Sequence, residues 1–225
     1  MEENMLELFK KDELAYAIGL LQTDGYNCKA DPNKKKGKIG LDISYRDNDM
    51  IYNLEKIFKP ICNVSIREDT KDTNFSKEFH YISLTIGNYD VRNFLTKYIP
   101  IGKKKNIIVP PDFVLEDKTL TKHYLRGYFD GDGSLGITSK NTPFISVCVV
   151  SDIIKDYILQ NIFEVLNFKK NINRNKRDNI YNIVLFTKKA VTYASMLYDN
   201  ENLCSQRKKG ILEKMKEVLI STSKS

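Results

Sequence analysis

The apolar positions of this chain form two kinds of run, and both recur in the same order in each half. The first kind is apolar on every side. Leu14, Ala15, Tyr16, Ala17, Ile18, Leu20 and Leu21 leave no polar stripe, so the segment predicts a helix buried all round. The second kind alternates. Ile39, Leu41 and Ile43 are separated by Gly40 and Asp42, the two-residue period of a half-buried strand. A helix is then predicted over roughly Asn48 to Phe58, with Ile51, Leu54 and Phe58 on one side. Strands follow near Val64–Arg67 and Phe79–Ile86, and a second helix carries Val91, Phe94, Leu95 and Tyr98.

The second half repeats this order. Phe144–Val150 reads as a strand, Asp152–Leu166 as a helix, and Ile172 and Ile180–Phe186 as strand positions, with a last helix over Lys189–Tyr198 that holds Val191 and Ala194 inside. Each unit is therefore helix, strand, strand, helix, strand, strand, helix. Segregated strands with covering helices make an α+β fold of two pseudosymmetric α-β-β-α-β-β-α units. The predicted division is an N-terminal half over 1–98, a basic, Pro-containing linker over 99–118 with GKKKN and Pro110-Pro111, and a C-terminal half over 119–225.

The repeat is closest in two segments, ELAYAIGLLQTDGY (13–26) and TKHYLRGYFDGDGS (121–134). Gly19 pairs with Gly127, Asp24 with Asp132 and Gly25 with Gly133, at a constant offset of 108. Glycine inside a helix costs about 1 kcal/mol relative to alanine, so two glycines at one helical register point to a close backbone approach. Packing of the two motif helices on each other satisfies this, and Thr23 and Gly131 are small enough to extend the contact. Asp24 and Asp132 then fall at helix C-termini, where a carboxylate opposes the helix dipole, and they approach each other across the pseudo-twofold axis, where like charges repel. A divalent cation compensates both. A site of oxygen ligands without Cys or His points to Mg²⁺ rather than Zn²⁺. The alternative is that each Asp-Gly only begins a tight turn, with each glycine at the residue after the helix. Gln22 and Asp130 form another matched pair, candidates for orienting the carboxylates from behind or for plain polar caps.

Charge adds a partner. Lys plus Arg is 36 against 29 Asp plus Glu, a net charge of +7, which favours a polyanion. The four cysteines, Cys28, Cys62, Cys148 and Cys204, form no CxxC pair, and with only His80 and His123 they make no zinc cluster. Reduced cysteines and an intracellular, reducing compartment are expected. No stretch is apolar and long enough to span a bilayer, and the N-terminus lacks the order of a secretory signal, so no membrane partner is expected.

The segments AIGLLQTDG (17–25) and LRGYFDGDG (125–133) resemble the two motifs of the LAGLIDADG homing endonuclease family, in its single-chain, double-motif form. The second is closer. The first departs at Gln22 and Thr23, where the family pattern has aspartate and alanine. The resemblance implies a monomer in which paired motif helices form the interface and two antiparallel sheets form a saddle on the DNA major groove. It implies a Mg²⁺-dependent double-strand break with short 3′ overhangs at a long, near-asymmetric site, with Asp24 and Asp132 holding the metal, Mn²⁺ as a substitute and Ca²⁺ supporting binding without cleavage. Basic residues that assist catalysis near each metal site, by stabilising the phosphorane-like state or ordering water, are also implied. By position Lys105 and Lys208 match best, with Lys104 and Arg207 as neighbours. From the strand pattern, Asp42, Ser44 and Arg46 face away from the core. The DNA-contact candidates are Arg46, Arg67, Lys71 and Lys77 in the first half, and Lys140, Arg174, Lys176, Arg177 and Lys188 in the second. Competing readings are a maturase that binds intron RNA by shape and a non-cleaving DNA-binding protein. A sugar hydrolase using the aspartates as an acid/base pair needs a pocket that glycine-mediated contact between the helices would close.

Overall fold

The computed structural model describes residues 5–28, 36–72, 77–101 and 108–222. The first apolar run forms helix α1 (Lys11–Thr23), in which every residue from Leu14 to Gln22 is buried. Strands β1 (Gly25–Cys28) and β2 (Lys38–Ser44) follow, then helix α2 (Asn48–Phe58), strands β3 (Val64–Lys71) and β4 (Phe79–Ile86), and helix α3 (Tyr89–Thr96). A short helix, α4 (Asp112–Glu116), leads to helix α5 (Thr121–Asp132). The second half continues with β5 (Gly133–Ile137), β6 (Pro143–Val149), α6 (Asp152–Leu166), β7 (Tyr181–Phe186), α7 (Thr187–Tyr198) and α8 (Gln206–Thr222).

Both sheets are antiparallel, ordered β1-β2-β4-β3 and β5-β6-β7. Register puts Ile39, Leu41 and Ile43 opposite Ile86, Leu84 and Ile82, so six branched side chains line one face. Helix α2 covers that face with Met50, Ile51, Leu54, Ile57 and Phe58, spaced three and four apart. Phe9 joins them, its ring edge-on to Phe58 at 5.6 Å and stacked on Phe94 at 6.0 Å. In the other half Ile145, Val147 and Val149 pair with Leu185, Ile183 and Tyr181, and α7 and α8 pack on that sheet.

Two expectations need correction. No strand forms around Ile172 among the described residues, so the C-terminal sheet has three strands. Ile172 is the single apolar residue between Lys169 and Asn179, so this segment has no alternating apolar face to bury. Instead it closes on itself, with Asn175 N donating to Ile180 O at 2.7 Å. Arg174 ties it to the sheet's end through Val150 O and the Asp152 carboxylate, both at 2.9 Å. The second correction is at the C-terminus. The chain does not end its helices near Tyr198 but adds α8, which buries Lys208, Leu212 and Met215 at helical spacing.

Candidate metal centre and nucleic-acid interface

Helices α1 and α5 meet along their backbones. A Cβ on Gly19 would collide with the Tyr124 carbonyl oxygen and stand 2.9 Å from Tyr128 N. A Cβ on Gly127 would collide with the Tyr16 carbonyl oxygen and stand 2.9 Å from Leu20 N. Tyr16 and Leu20 are the repeat partners of Tyr124 and Tyr128, so the two contacts are related by the pseudo-twofold axis. One turn further on, a Cβ on Gly131 would collide with Thr23 and lie 3.3 Å from the Asp24 Oδ2 atom. The Asp24 carboxylate thus lies against the residue that precedes Asp132. Both aspartates are exposed at the same end of the helix pair, Asp24 as the cap of α1 and Asp132 as the last residue of α5.

The glycines after them are not in the left-handed region. Gly133 is extended, at φ −81° and ψ 154°, and opens β5. Gly25 opens β1. What excludes a side chain at each is the preceding helix turn. A Cβ on Gly25 would lie 2.6 Å from Leu21 O, and one on Gly133 would strike Phe129 O. The strand starts directly on the helix end, which fixes each aspartate between them.

Behind the aspartates the two halves diverge in a way that explains the Gln22 departure. Tyr124 Oη donates to Gln22 Oε1 at 2.7 Å, and its repeat partner Tyr16 Oη donates to Asp130 Oδ2 at 3.0 Å. In the first half the remaining neighbours are carbonyls, Tyr98 O and Val109 O, and Gln22 Nε2 donates to each at 3.0 Å. In the second half they are donors, Tyr198 Oη at 3.0 Å and Ser205 N at 2.8 Å, which an acceptor-only carboxylate satisfies. Each residue type suits its own surroundings, and neither group points at solvent.

Lys208 is nearly buried, at 3% exposure. Its Nζ donates to Phe129 O and Asp130 O, both at 2.6 Å, and so caps the last turn of α5. Burial pushes its pKa down, while the Asp130 and then Asp24 carboxylates oppose that shift. Burial raises Asp130 to about 6, against the pull of Lys208, Ser205, Tyr16 and Tyr198. A carboxyl raised on folding stabilises least when ionised. The penalty is absent below the ordinary value of 3.8 and complete above about 6. The unfolding free energy of the wild type minus that of Asp130→Asn should therefore fall between pH 4 and pH 7, by up to about 3 kcal/mol. Urea titrations across that range check it, and a flat difference would mean that Asp130 titrates as an ordinary carboxyl.

The segment bearing Lys208 also clamps the halves together. Arg207 pairs with buried Asp47, with Nε 2.5 Å from Oδ1. Gln206 N donates to Asp49 Oδ2 at 2.7 Å, and Asn53 Nδ2 to Cys204 O at 3.3 Å. Sequence reading missed Tyr16, Tyr124, Tyr198 and Ser205. The register match of Tyr16 with Tyr124 was the available signal.

Register places the other candidates. Arg67 and Lys71 alternate with the core-facing positions of β3 and so share the outer face of the N-terminal sheet. Arg67 pairs with Asp69, and the Lys71 ammonium lies 4.4 Å from the Tyr81 ring centroid. Arg46 lies beyond β2, in a 3₁₀ turn over Tyr45–Asp47, because the strand ends at Ser44. Lys77 is exposed ahead of β4, and Lys140 is exposed in the β5–β6 turn. Lys176 is exposed, Arg177 pairs with Asp178 at 2.8 Å, and Lys188 is exposed in the first turn of α7. Lys104 and Lys105 lie outside the described residues. Among the described residues no helix is long and apolar enough to cross a membrane, and no three His, Cys, Asp or Glu side chains converge to hold a metal by themselves. Two exposed carboxylates at one crossing still fit Mg²⁺, which keeps several waters and takes substrate phosphates beside one or two carboxylates.

No protein-family model and no curated protein sequence matches the chain. Solved structures do. The chain is similar to the LAGLIDADG meganuclease I-AabMI bound to uncleaved DNA, with a TM-score of 0.59 at 9% identity, covering 93% of this chain and 91% of that one. It is similar to the LAGLIDADG homing endonuclease I-LtrWI bound to target DNA, at 0.57 and 13%, covering 96% and 92%. Mesophilic variants of the homing endonuclease I-DmoI match at 0.60 and 11%, covering 91% and 98%. The chain has the two-lobed, pseudosymmetric fold of the LAGLIDADG homing endonucleases over nearly its whole length.

Proposed function

We propose that this protein is a monomeric, site-specific DNA endonuclease that makes a Mg²⁺-dependent double-strand break with short 3′ overhangs at a long, near-asymmetric target, as in intron homing. The observation that carries this reading is the pair Asp24 and Asp132, exposed at one end of a helix pair in backbone contact. Two carboxylates at helix C-termini are costly to place together unless a cation joins them. Asp24 and Asp132 would hold Mg²⁺ with oxygens of the scissile phosphates. An ion held there would supply activation of the attacking water and neutralisation of charge on the phosphoryl group. Lys208 serves by fixing the α5 terminus that carries Asp132. The outer faces of the two sheets lie against the major groove, and the basic residues at their edges contact phosphates.

The test is selection from a randomised duplex library in Ca²⁺, followed by transfer of the bound duplexes to Mg²⁺. A long site cut on both strands with short 3′ overhangs is expected. Selective binding without cutting would replace this reading with a DNA-binding protein. Absence of selective DNA binding would favour an RNA-binding maturase.

A further inference from the structure

The outer faces of the two sheets differ in chemistry. On the N-terminal sheet, Lys38, Asp42, Arg67, Asp69 and Lys71 occupy outward positions. On the C-terminal sheet no outward strand position among the described residues is Lys, Arg, Asp or Glu. Register orders that face in rows. Cys148 opposite Asn182 forms the row next to Asp132, since Gly133 pairs with Val147. Ser146 lies between Ser134 and Val184 in the next row. Phe144 opposite Phe186 forms the outermost.

That outermost row is built to stay in place. The Phe144 ring lies across Gly136, where a Cβ would stand 2.8 Å from Cε1. Phe186 is 50% exposed. The next residue, Thr187, holds φ at 54°, a strained value for a β-branched side chain, and its hydroxyl donates to Phe186 O at 2.8 Å. Exposed Lys140 and Lys188 flank the row at the turn before β6 and at the start of α7. An uncharged, aromatic floor with a basic rim matches a groove whose walls are phosphates and whose floor carries methyl groups.

Guanine is read in the major groove by Arg or Lys and cytosine by Asp or Glu. Apolar side chains contact the thymine C5-methyl, and Asn pairs with adenine. We propose that the C-terminal sheet selects an A·T-rich half-site, with Phe144 and Phe186 packed on thymine methyls at its outer end and Asn182 facing adenine nearer the cleavage point. This rests on the DNA-reading function proposed above and adds its specificity. Successive rows are two residues apart, about 7 Å, or about two base pairs of duplex. The phenylalanine row therefore falls about four base pairs outward from the Asn182 row.

The experiment uses the full chain in Ca²⁺, so that binding is read without cleavage. The duplex selected from the random library is resynthesised with deoxyuridine in place of each thymine of both half-sites, one at a time. Loss of one packed methyl is expected to weaken binding about fourfold at the outer positions of the C-terminal half-site. The Phe144→Ala/Phe186→Ala variant should bind thymine and deoxyuridine duplexes equally there, and remain as sensitive as wild type at N-terminal half-site thymines. Both side chains face outward, thermal denaturation checks that the variant folds, and the deoxyuridine series on wild type decides the matter even without the variant. Equal wild-type affinity for thymine and deoxyuridine throughout the C-terminal half-site, or selection of G·C pairs at the outer positions, overturns the proposal while leaving DNA reading intact. Lack of any selected site overturns the DNA-reading function itself, and this inference with it.

Discussion

Asp24→Asn and Asp132→Asn should each abolish double-strand cleavage of the selected target in Mg²⁺, by about a thousandfold or more, which is about 4 kcal/mol of barrier. Binding to the same duplex in Ca²⁺ should change far less, because sheet faces and basic edges supply affinity through phosphates and bases. Asparagine keeps the shape of aspartate, and both positions are exposed at the helix ends. Each substitution also removes one of two like charges and relieves an opposed helix dipole. The variants should therefore fold and melt close to the wild-type temperature without metal. That combination separates loss of a functional carboxylate from loss of structure. Full-rate double-strand cleavage by either variant would remove both aspartates from the mechanism. A cleavage defect accompanied by a lowered melting temperature would make them structural caps.

The repeat made the centre of the molecule legible. Two glycines and two aspartates at a constant offset imply a backbone-to-backbone helix pair with carboxylates at one end, and the Gly19 and Gly127 contacts are of that kind. The alternation around Ile39, Leu41 and Ile43 likewise gave the inner face of the first sheet. What sequence could not give was partner polarity. Gln22 looks like a degraded aspartate until its neighbours are seen to be two carbonyls and a hydroxyl, whereas Asp130 faces two hydroxyls and an amide N–H. These partners come from positions 68 to 114 residues away, beyond the reach of any local pattern. The same limit hid the inward turn of Lys208, which in the sequence is one of a run of three basic residues, Arg207 to Lys209. The strand expected at Ile172 failed for a different reason. The first half supplied the expectation by symmetry, but the local residues lack the alternation that would bury a strand.

Gly127→Ala should be strongly destabilising for a single added methyl. The added Cβ meets the Tyr16 carbonyl oxygen and Leu20 N, at 2.9 Å for the latter. These are backbone atoms in the buried stretch of α1, Leu14 to Gln22, so no side chain can rotate away. The helices must part, which opens the contact that joins the two halves and displaces Asp132 from Asp24. Overpacking that cannot relax costs about 4 kcal/mol or more, against a total stability on the order of 5 to 15 kcal/mol. For a chain of this size that corresponds to a fall in melting temperature of about 10 °C, with cleavage lost further than stability alone would predict. Gly19→Ala should behave alike, since its contacts are the symmetry mates of these. Gly210→Ala supplies the control. It lies within α8 with nothing within 4 Å of the added Cβ, so helix propensity alone should make it more stable by about 1 kcal/mol. Thermal denaturation of the three variants decides the point. If Gly127→Ala melts with the wild type, the motif helices are not in backbone contact, and the joint placement of the two carboxylates fails with that contact.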